Sequence, residues 1–189
     1  MKIIPTADGT NTLLHKVLGE HYHSIHGALQ ESQHVFIQEG LAHYPQAKEL
    51  VVFEMGLGTG LNALLAYDYA DKHGIKIHYY AIEAYPITLE ESQAMQYDKL
   101  IEDTKVFHQI HEAEWNTEVV LCSNFSLFKI NNLDKFYTIY GHLSKKCLKI
   151  LHVGKKIKKD AIIAEIGNYP INGNWPPHLH FQIALDIMG

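Results

Sequence analysis

The chain has 189 residues, a net charge of −5 at neutral pH and two cysteines. That length suits one ordinary domain or two small ones, and Cys122 and Cys147 form no CxxC pair, which excludes a disulfide framework. No apolar run is long enough to span a membrane and residues 1–16 carry no signal pattern, so the expectation is a soluble, cytoplasmic protein without a membrane partner.

The chain opens with turn chemistry at Asp8-Gly9 and an apolar run at 12–14, which suits a hairpin. Residues 26–41 place Leu29, Gln33, Phe36, Ile37 and Leu41 on one helical face, with Gly40 as a stop. Residues 51–66, VVFEMGLGTGLNALLA, are the most informative run: a buried strand ending in Glu54, then Gly56, Gly58 and Gly60 at alternate positions, then a helix to about Lys72. Strand, glycine turn and helix form the first unit of a nucleotide-binding α/β sheet, in which glycines allow close backbone approach to a ligand. The helix start offers free N–H groups. Residues 75–83 read as a second strand ending in Glu83, placed to accept hydrogen bonds from ribose hydroxyls.

Pro86 is expected to open a helix reaching about Leu100, and 105–111 alternates enough for a third strand. Residues 119–130 suit a hairpin around Ser123-Asn124. Beyond Asp134 the texture changes. Short β-like runs at 136–140, 148–153, 161–166 and 179–185 are separated by Gly141, Gly154, Gly167 and Gly173, with no helix pattern. Charge changes at the same place. Residues 1–134 hold 8 lysines against 18 acids, and residues 135–189 hold 8 lysines against 3. There is no arginine, which disfavours bidentate phosphate recognition, and no DNA partner is expected.

The first part, from Thr6 to about Leu133, resembles the S-adenosylmethionine-dependent methyltransferases that finish 5-methylaminomethyl-2-thiouridine at the tRNA wobble position. The matching pieces are TADGTNTL (6–13), GEHYHSIHGALQESQHVFIQEGL (19–41), FEMGLGTGLNALLA (53–66), YYAIEAYP (79–86), IHEAEW (110–115) and NFSLFKI (124–130). The resemblance implies a Rossmann-like sheet and S-adenosylmethionine held by Glu54, Gly56, Leu57, Gly58, Thr59, Gly60 and Glu83. It implies tRNA as a partner, with Tyr22, His23, Ser24 and Glu31 in the early motif facing substrate or cofactor. The family's later strand ends in an Asp-Ala-Phe-Ala-Pro-like loop, and this chain has no such loop.

The second part resembles the lysostaphin and LytM-type zinc metallopeptidases through YTIYGHLS (137–144), VGKKIKKDAIIAEIG (153–167) and NGNWPPHLHFQI (172–183). That resemblance implies zinc, with His180 as a metal ligand and His142 and His178 as catalytic imidazoles. The family's upstream His-x-x-x-Asp ligand motif has no counterpart after Lys135, which implies weak zinc binding.

The fold class expected is therefore α/β: a partial Rossmann-like methyltransferase sheet over residues 1–134, then a small all-β peptidase-like fragment over 135–189. The leading reading is a methyltransferase-like protein with impaired catalysis. A zinc peptidase-like module and an inert joining of two fragments, by gene fusion or misassembled sequence, stay open. A further alternative places 136–140 as the next parallel strand of the first sheet, with Gly141-His142 over the cofactor. The oligomeric state is left open.

Overall fold

The computed structural model describes residues 1–16, 19–131, 137–152, 154–158, 161–170, 172–174 and 176–184. It divides into two compact units, Met1–Leu133 and Asp134–Gly189. The architecture is mixed α/β, and no helix among the described residues is long and apolar enough to cross a membrane.

Unit one opens with an antiparallel three-stranded sheet of β1 (Lys2–Pro5), β2 (Asn11–His15) and β3 (Glu20–His21). The β1–β2 turn is tied by Asp8. Its Oδ1 accepts from the hydroxyls of Thr6 (2.7 Å) and Thr10 (2.6 Å), and its Oδ2 accepts from the Gln30 N–H (3.0 Å). The expected helix over 26–41 is instead three short pieces. One turn, α1 (Ala28–Glu31), runs into a π-helical stretch at Ser32–Gln38 and then a 3₁₀ turn at Leu41–His43. Gly40 separates the π-helical stretch from the 3₁₀ turn, and a Cβ there would run into the Phe36 carbonyl.

The main sheet runs in the order β4 (Glu49–Met55), β5 (Lys76–Ile82), β7 (Phe125–Ile130) and β6 (Glu118–Cys122). The first three strands are parallel and β6 joins β7 antiparallel, as the hairpin reading expects. Met55, Ile82 and Ile130 are in register, so the segments following all three strands emerge at one edge. Helix α2 (Leu61–His73) follows the glycine turn and is buried nearly all round, with Ala63, Ala66 and Ala70 fully covered. Small side chains there let the helix approach the sheet closely. Tyr79 stacks on Phe125, and Phe36 and Tyr67 meet these rings edge-on. Deleting one such buried side chain, Leu64→Ala for example, costs about 2–5 kcal/mol.

One helix expectation and one strand expectation are corrected. The helix after Pro86 begins later, as α3 (Leu89–Met95), because Thr88 and Glu91 form a reciprocal capping box; Gln96, at φ +59°, ends it. Residues 105–111 are not a strand. They form α4 (Val106–Glu112), whose Val106, Phe107 and Ile110 are buried at helical spacing. Seven residues are too few to separate the two periods from sequence.

In unit two, β8 (Tyr137–Gly141) pairs antiparallel with β9 (His180–Ala184) as a separate two-stranded sheet. The alternative that made 136–140 a parallel continuation of the first sheet is thereby overturned. Residues 148–152 do not form a strand either. Ser144 caps a 3₁₀ turn at Lys145–Lys149, and of the 161–166 run only Ile166 bridges, to Leu143. Phe136, Val153 and Leu185 lie outside the described residues.

Candidate functional site

The glycine turn is shaped by what lies on either side of it. Gly56, Gly58 and Gly60 have φ of +89°, +53° and +76°, a region costly for other residues. A Cβ at Gly58 would sit 3.1 Å from the Tyr22 ring, and one at Gly60 would sit 2.8 Å from His111 Nε2, whereas at Gly56 the space is open. The turn is thus gripped between Tyr22 and His111: positive φ favours glycine at both 58 and 60, a Cβ at 60 would clash with His111, and one at 58 would be tight against Tyr22. His111 Nε2–H donates to the Thr59 carbonyl (3.1 Å). Burial lowers the His111 pKa to about 4, so the ring is neutral and donates as an ordinary imidazole.

Glu83 closes the turn from the neighbouring strand. Its Oε2 accepts from the Gly58 N–H (2.8 Å) and its Oε1 from the Tyr85 N–H (2.8 Å). Register makes this possible: the Gly56 N–H bonds to the Ile82 carbonyl, so the glycine turn and the end of β5 meet.

Glu54, at the end of β4, is buried. It accepts from Asn62 Nδ2 (2.9 Å) and from the Tyr79 hydroxyl (2.8 Å). Burial pushes its pKa up to about 7, with the Asn62 and Tyr79 hydrogen bonds pulling the other way and the Glu83 charge adding to the rise. Asn62 Oδ1 is buried without a hydrogen-bond partner. An orphan acceptor beside a carboxyl group suits a ligand N–H or ammonium.

Two cavities flank the turn and share Leu57 and Gly58. The smaller, of about 370 Å³, is walled by Tyr22, His23 and Glu31 on one side and by Glu54, Gly56, Thr59 and Asn62 on the other. His23 shares a hydrogen bond with the Thr59 hydroxyl (2.7 Å) and lies 3.9 Å from Glu31. Burial lowers the His23 pKa, and the Glu31 charge partly offsets this. Ser24 does not line either cavity; its N–H donates to Glu31 Oε2 (2.8 Å) and holds that carboxylate. The larger cavity, of about 670 Å³, is walled by Glu83, Ile87, Leu89, His111, Trp115 and Lys129 among others. Lys129 is buried, donates to the His111 carbonyl (2.7 Å) and lies 4.6 Å above the Trp115 ring. Desolvation lowers its pKa to about 8.

Every expected cofactor residue therefore lies around one turn. Sequence reasoning missed Asn62, Tyr79, His111, Trp115 and Lys129. Asn62 had a signal, as a polar residue in the first turn of the helix after the glycines. His111 had none once 105–111 was read as a strand.

In unit two, β8 and β9 bring three imidazoles together. The ring centroids of His142 and His178 are 4.4 Å apart and those of His142 and His180 5.8 Å. Gly141 allows it, since a Cβ there would sit 2.9 Å from the His180 Cβ. His142 Nδ1–H donates to the Asn172 carbonyl, and His178 Nδ1–H donates to the Pro176 carbonyl (2.7 Å). Among the described residues no group of three or more His, Cys, Asp or Glu side chains is arranged to hold a metal ion.

Comparison with known proteins finds two separate likenesses. Residues 112–187 match Peptidase family M23, a stretch that begins at the end of α4 in unit one. Curated relatives carry the name tRNA 5-methylaminomethyl-2-thiouridine biosynthesis bifunctional protein MnmC. The one from Magnetococcus marinus is 45% identical over 74 residues, which are 35% of this chain and 11% of the relative. The one from Pseudomonas fluorescens strain Pf-5 is 30% identical over 86 residues, 41% of this chain and 13% of the relative. The chain thus spans little more than a tenth of the length of these relatives. Among solved structures, MnmC2 from Aquifex aeolicus aligns with a TM-score of 0.53 at 23% identity, over 69% of this chain and 42% of that one. That likeness is one of fold. The first part of the chain thus resembles the MnmC proteins and the second Peptidase family M23, the two likenesses the motifs indicate.

Proposed function

We propose that unit one is an S-adenosylmethionine-binding, methyltransferase-like module related to tRNA wobble-uridine aminomethyl N-methylation, with impaired catalysis. Its main sheet is read as the opening half of a Rossmann-like sheet. The observation that carries the proposal is the convergence of Glu54, the glycine turn and Glu83 between two cavities, with Asn62 Oδ1 left as an orphan acceptor at the same place. S-adenosylmethionine, when bound, supplies an electrophilic methyl group.

The chain's own residues would hold that ligand in two parts. Glu83 has lone pairs free beyond its two backbone hydrogen bonds and accepts from ribose hydroxyls. Ile87, Leu89 and Trp115 offer apolar walls to a base in the larger cavity. Asn62 Oδ1 and Glu54 take the ammonium group in the smaller cavity, which draws Glu54 to its carboxylate form. Tyr22 and His111 keep the turn fixed, so little ordering remains to be done on binding. Tyr22, His23 and Glu31 form the facing wall, with Ser24 holding Glu31. No Asp-Ala-Phe-Ala-Pro-like loop occurs in the chain, which supports the impaired-catalysis reading; tRNA is the partner this reading implies.

Unit two is read as an all-β peptidase-like fragment in which His142 and His178 stand where catalytic imidazoles stand, and His180 where a zinc ligand stands. The chain is read as a methyltransferase-like module joined to a peptidase-like fragment in which zinc binding is weak, because the His-x-x-x-Asp ligand motif has no counterpart after Lys135. Calorimetry with S-adenosylmethionine and, separately, with zinc tests both halves. Binding of the cofactor without stoichiometric zinc is expected. Zinc binding alone would reverse the assignment, and binding of neither would leave two inert fragments.

A further inference from the structure

The two edges of the main sheet are unlike. At one edge β6 is short and its register with β7 shifts between Val120 and Cys122, an irregularity of the kind that blunts an edge. At the other edge β4 pairs with β5 residue for residue, from Glu49 opposite Lys76 to Met55 opposite Ile82. It contains no lysine, proline or bulge to deter a further strand. The direction of its backbone groups follows from its two ends. The Lys48 carbonyl accepts from the Lys76 N–H, and the Gly56 N–H donates to the Ile82 carbonyl, so the even-numbered residues turn their backbone groups to β5. Alternation then points those of Val51, Phe53 and Met55 away from the sheet. The same three side chains are exposed, Val51 at 72%.

We propose that β4 is a self-pairing edge, which joins β4 of a second copy of this chain in antiparallel fashion across a two-fold axis at Val52. The pleat restricts the register, because outward-facing residues of one copy must meet outward-facing residues of the other. Among the registers that satisfy this, the one centred on Val52 pairs all seven residues of the strand. Val51 then exchanges hydrogen bonds with Phe53 of the second copy, and Glu49 with its Met55. A two-fold interface uses one patch twice, and an edge strand that meets itself needs no other surface.

Charge and shape fit this pairing. Met55 of the second copy lies opposite Glu49, and its Leu50 lies opposite Glu54, so no carboxylate faces another. Glu49 is already engaged on its own sheet, 3.5 Å from Lys76 and 2.8 Å from His78. On the exposed face, Val51, Phe53 and Met55 of both copies make one continuous apolar row. On the opposite face a groove of about 590 Å³ runs beside β4, walled by Val35, Phe36, Leu41, Tyr44, Leu50 and Val52 among others. Leu50 and Val52 of the second copy enter that groove. The pairing is independent of the cofactor reading, since it uses the length of β4 and not the glycine turn beyond its end.

The test uses the full chain with Cys122→Ser and Cys147→Ser, so that any cross-link comes from an introduced thiol. At Val52 the pair across the axis is of the non-hydrogen-bonded kind, with Cα atoms about 4.5 Å apart and inside disulfide reach. The two copies of Val51 are about 8 Å apart, outside it. Under mild oxidation Val52→Cys is expected to give at least about fivefold more covalent dimer than Val51→Cys, although position 51 is the more exposed and would lead in random collisions. Analytical ultracentrifugation of the unsubstituted chain should show a dimer, and Val51→Lys should weaken it at least about tenfold while circular dichroism shows the fold retained. A chain that stays monomeric up to about 100 μM, a dimer indifferent to Val51→Lys, or cross-linking at 51 equal to that at 52 would each overturn the proposal.

Discussion

Glu54→Gln should make the protein more stable and its ligand weaker, and both effects should depend on pH. Glu54 is buried between Asn62 and Tyr79, and burial lifts its pKa from 4.5 to about 7. A carboxyl group with a raised native pKa binds more protons folded than unfolded between those two values. Stability is therefore highest below pH 4.5 and falls as pH rises, reaching its full loss above pH 7. A shift of this size corresponds to about 3 kcal/mol, at 1.36 kcal/mol per unit. Glutamine keeps the shape and a carbonyl acceptor for Asn62 but cannot ionise. Glu54→Gln should match the wild type near pH 4.5 and exceed it by up to about 3 kcal/mol at pH 8. Urea denaturation across pH 4–9 measures this directly. The same variant should lose affinity for S-adenosylmethionine at pH 8, since the ammonium loses its carboxylate. In the wild type at pH 7, binding should release about half a proton, read from calorimetry in buffers of different ionisation enthalpy. A stability difference that is the same at pH 5 and pH 8 would refute the argument, because it would show that Glu54 titrates as an ordinary exposed acid.

Gly60→Ala combines a strained φ with a clash against His111, and should cost roughly 2 kcal/mol; the His111→Ala background should return the clash part only, a non-additivity that a double-mutant cycle detects. Asp8 has its pKa lowered to about 2: burial raises it, but the hydrogen bonds from Thr10, Gln30 and Thr6 together outweigh that. Its contribution is present above pH 3.8 and lost as pH falls towards 2; because the group is exposed, Asp8→Asn should cost under about 1 kcal/mol at pH 7 and nothing near pH 2, by thermal melts at the two values. Lys129 has a native pKa lowered to about 8, so its cost to folding persists below pH 8 and is relieved as pH rises towards 10.5. Lys129→Met should therefore flatten the rise in stability between pH 8 and 10 seen by denaturant titration. Zinc added to the metal-free chain should not bind stoichiometrically at micromolar concentration; one tightly held zinc per chain by elemental analysis would show that a residue outside His142, His178 and His180 completes a site.

Residues 51–66 carried their structure in local order alone. Alternating glycines after an apolar strand leave few conformations, and strand, turn and helix form where the spacing puts them, but the strand is not the buried one expected: β4 lies at the sheet edge, ends at Met55, and leaves Val51, Phe53 and Met55 exposed. The β6–β7 hairpin was legible for the same reason. The short helices were not legible. Residues 105–111 and 26–41 carry apolar patterns that fit more than one period, and burial of Phe107 and Ile110 against neighbouring elements decided the first case. The site shows the same division. Glu54, the glycines and Glu83 were visible as types at a spacing. Their partners were not, because Tyr79 reaches Glu54 only through the β4–β5 register, and His111 reaches Gly60 only once α4 packs on α2. Those contacts join residues 25 to more than 50 positions apart. Only tertiary packing brings such residues together, and with them come the burial and charge that set the ionisation of Glu54, His111 and Lys129.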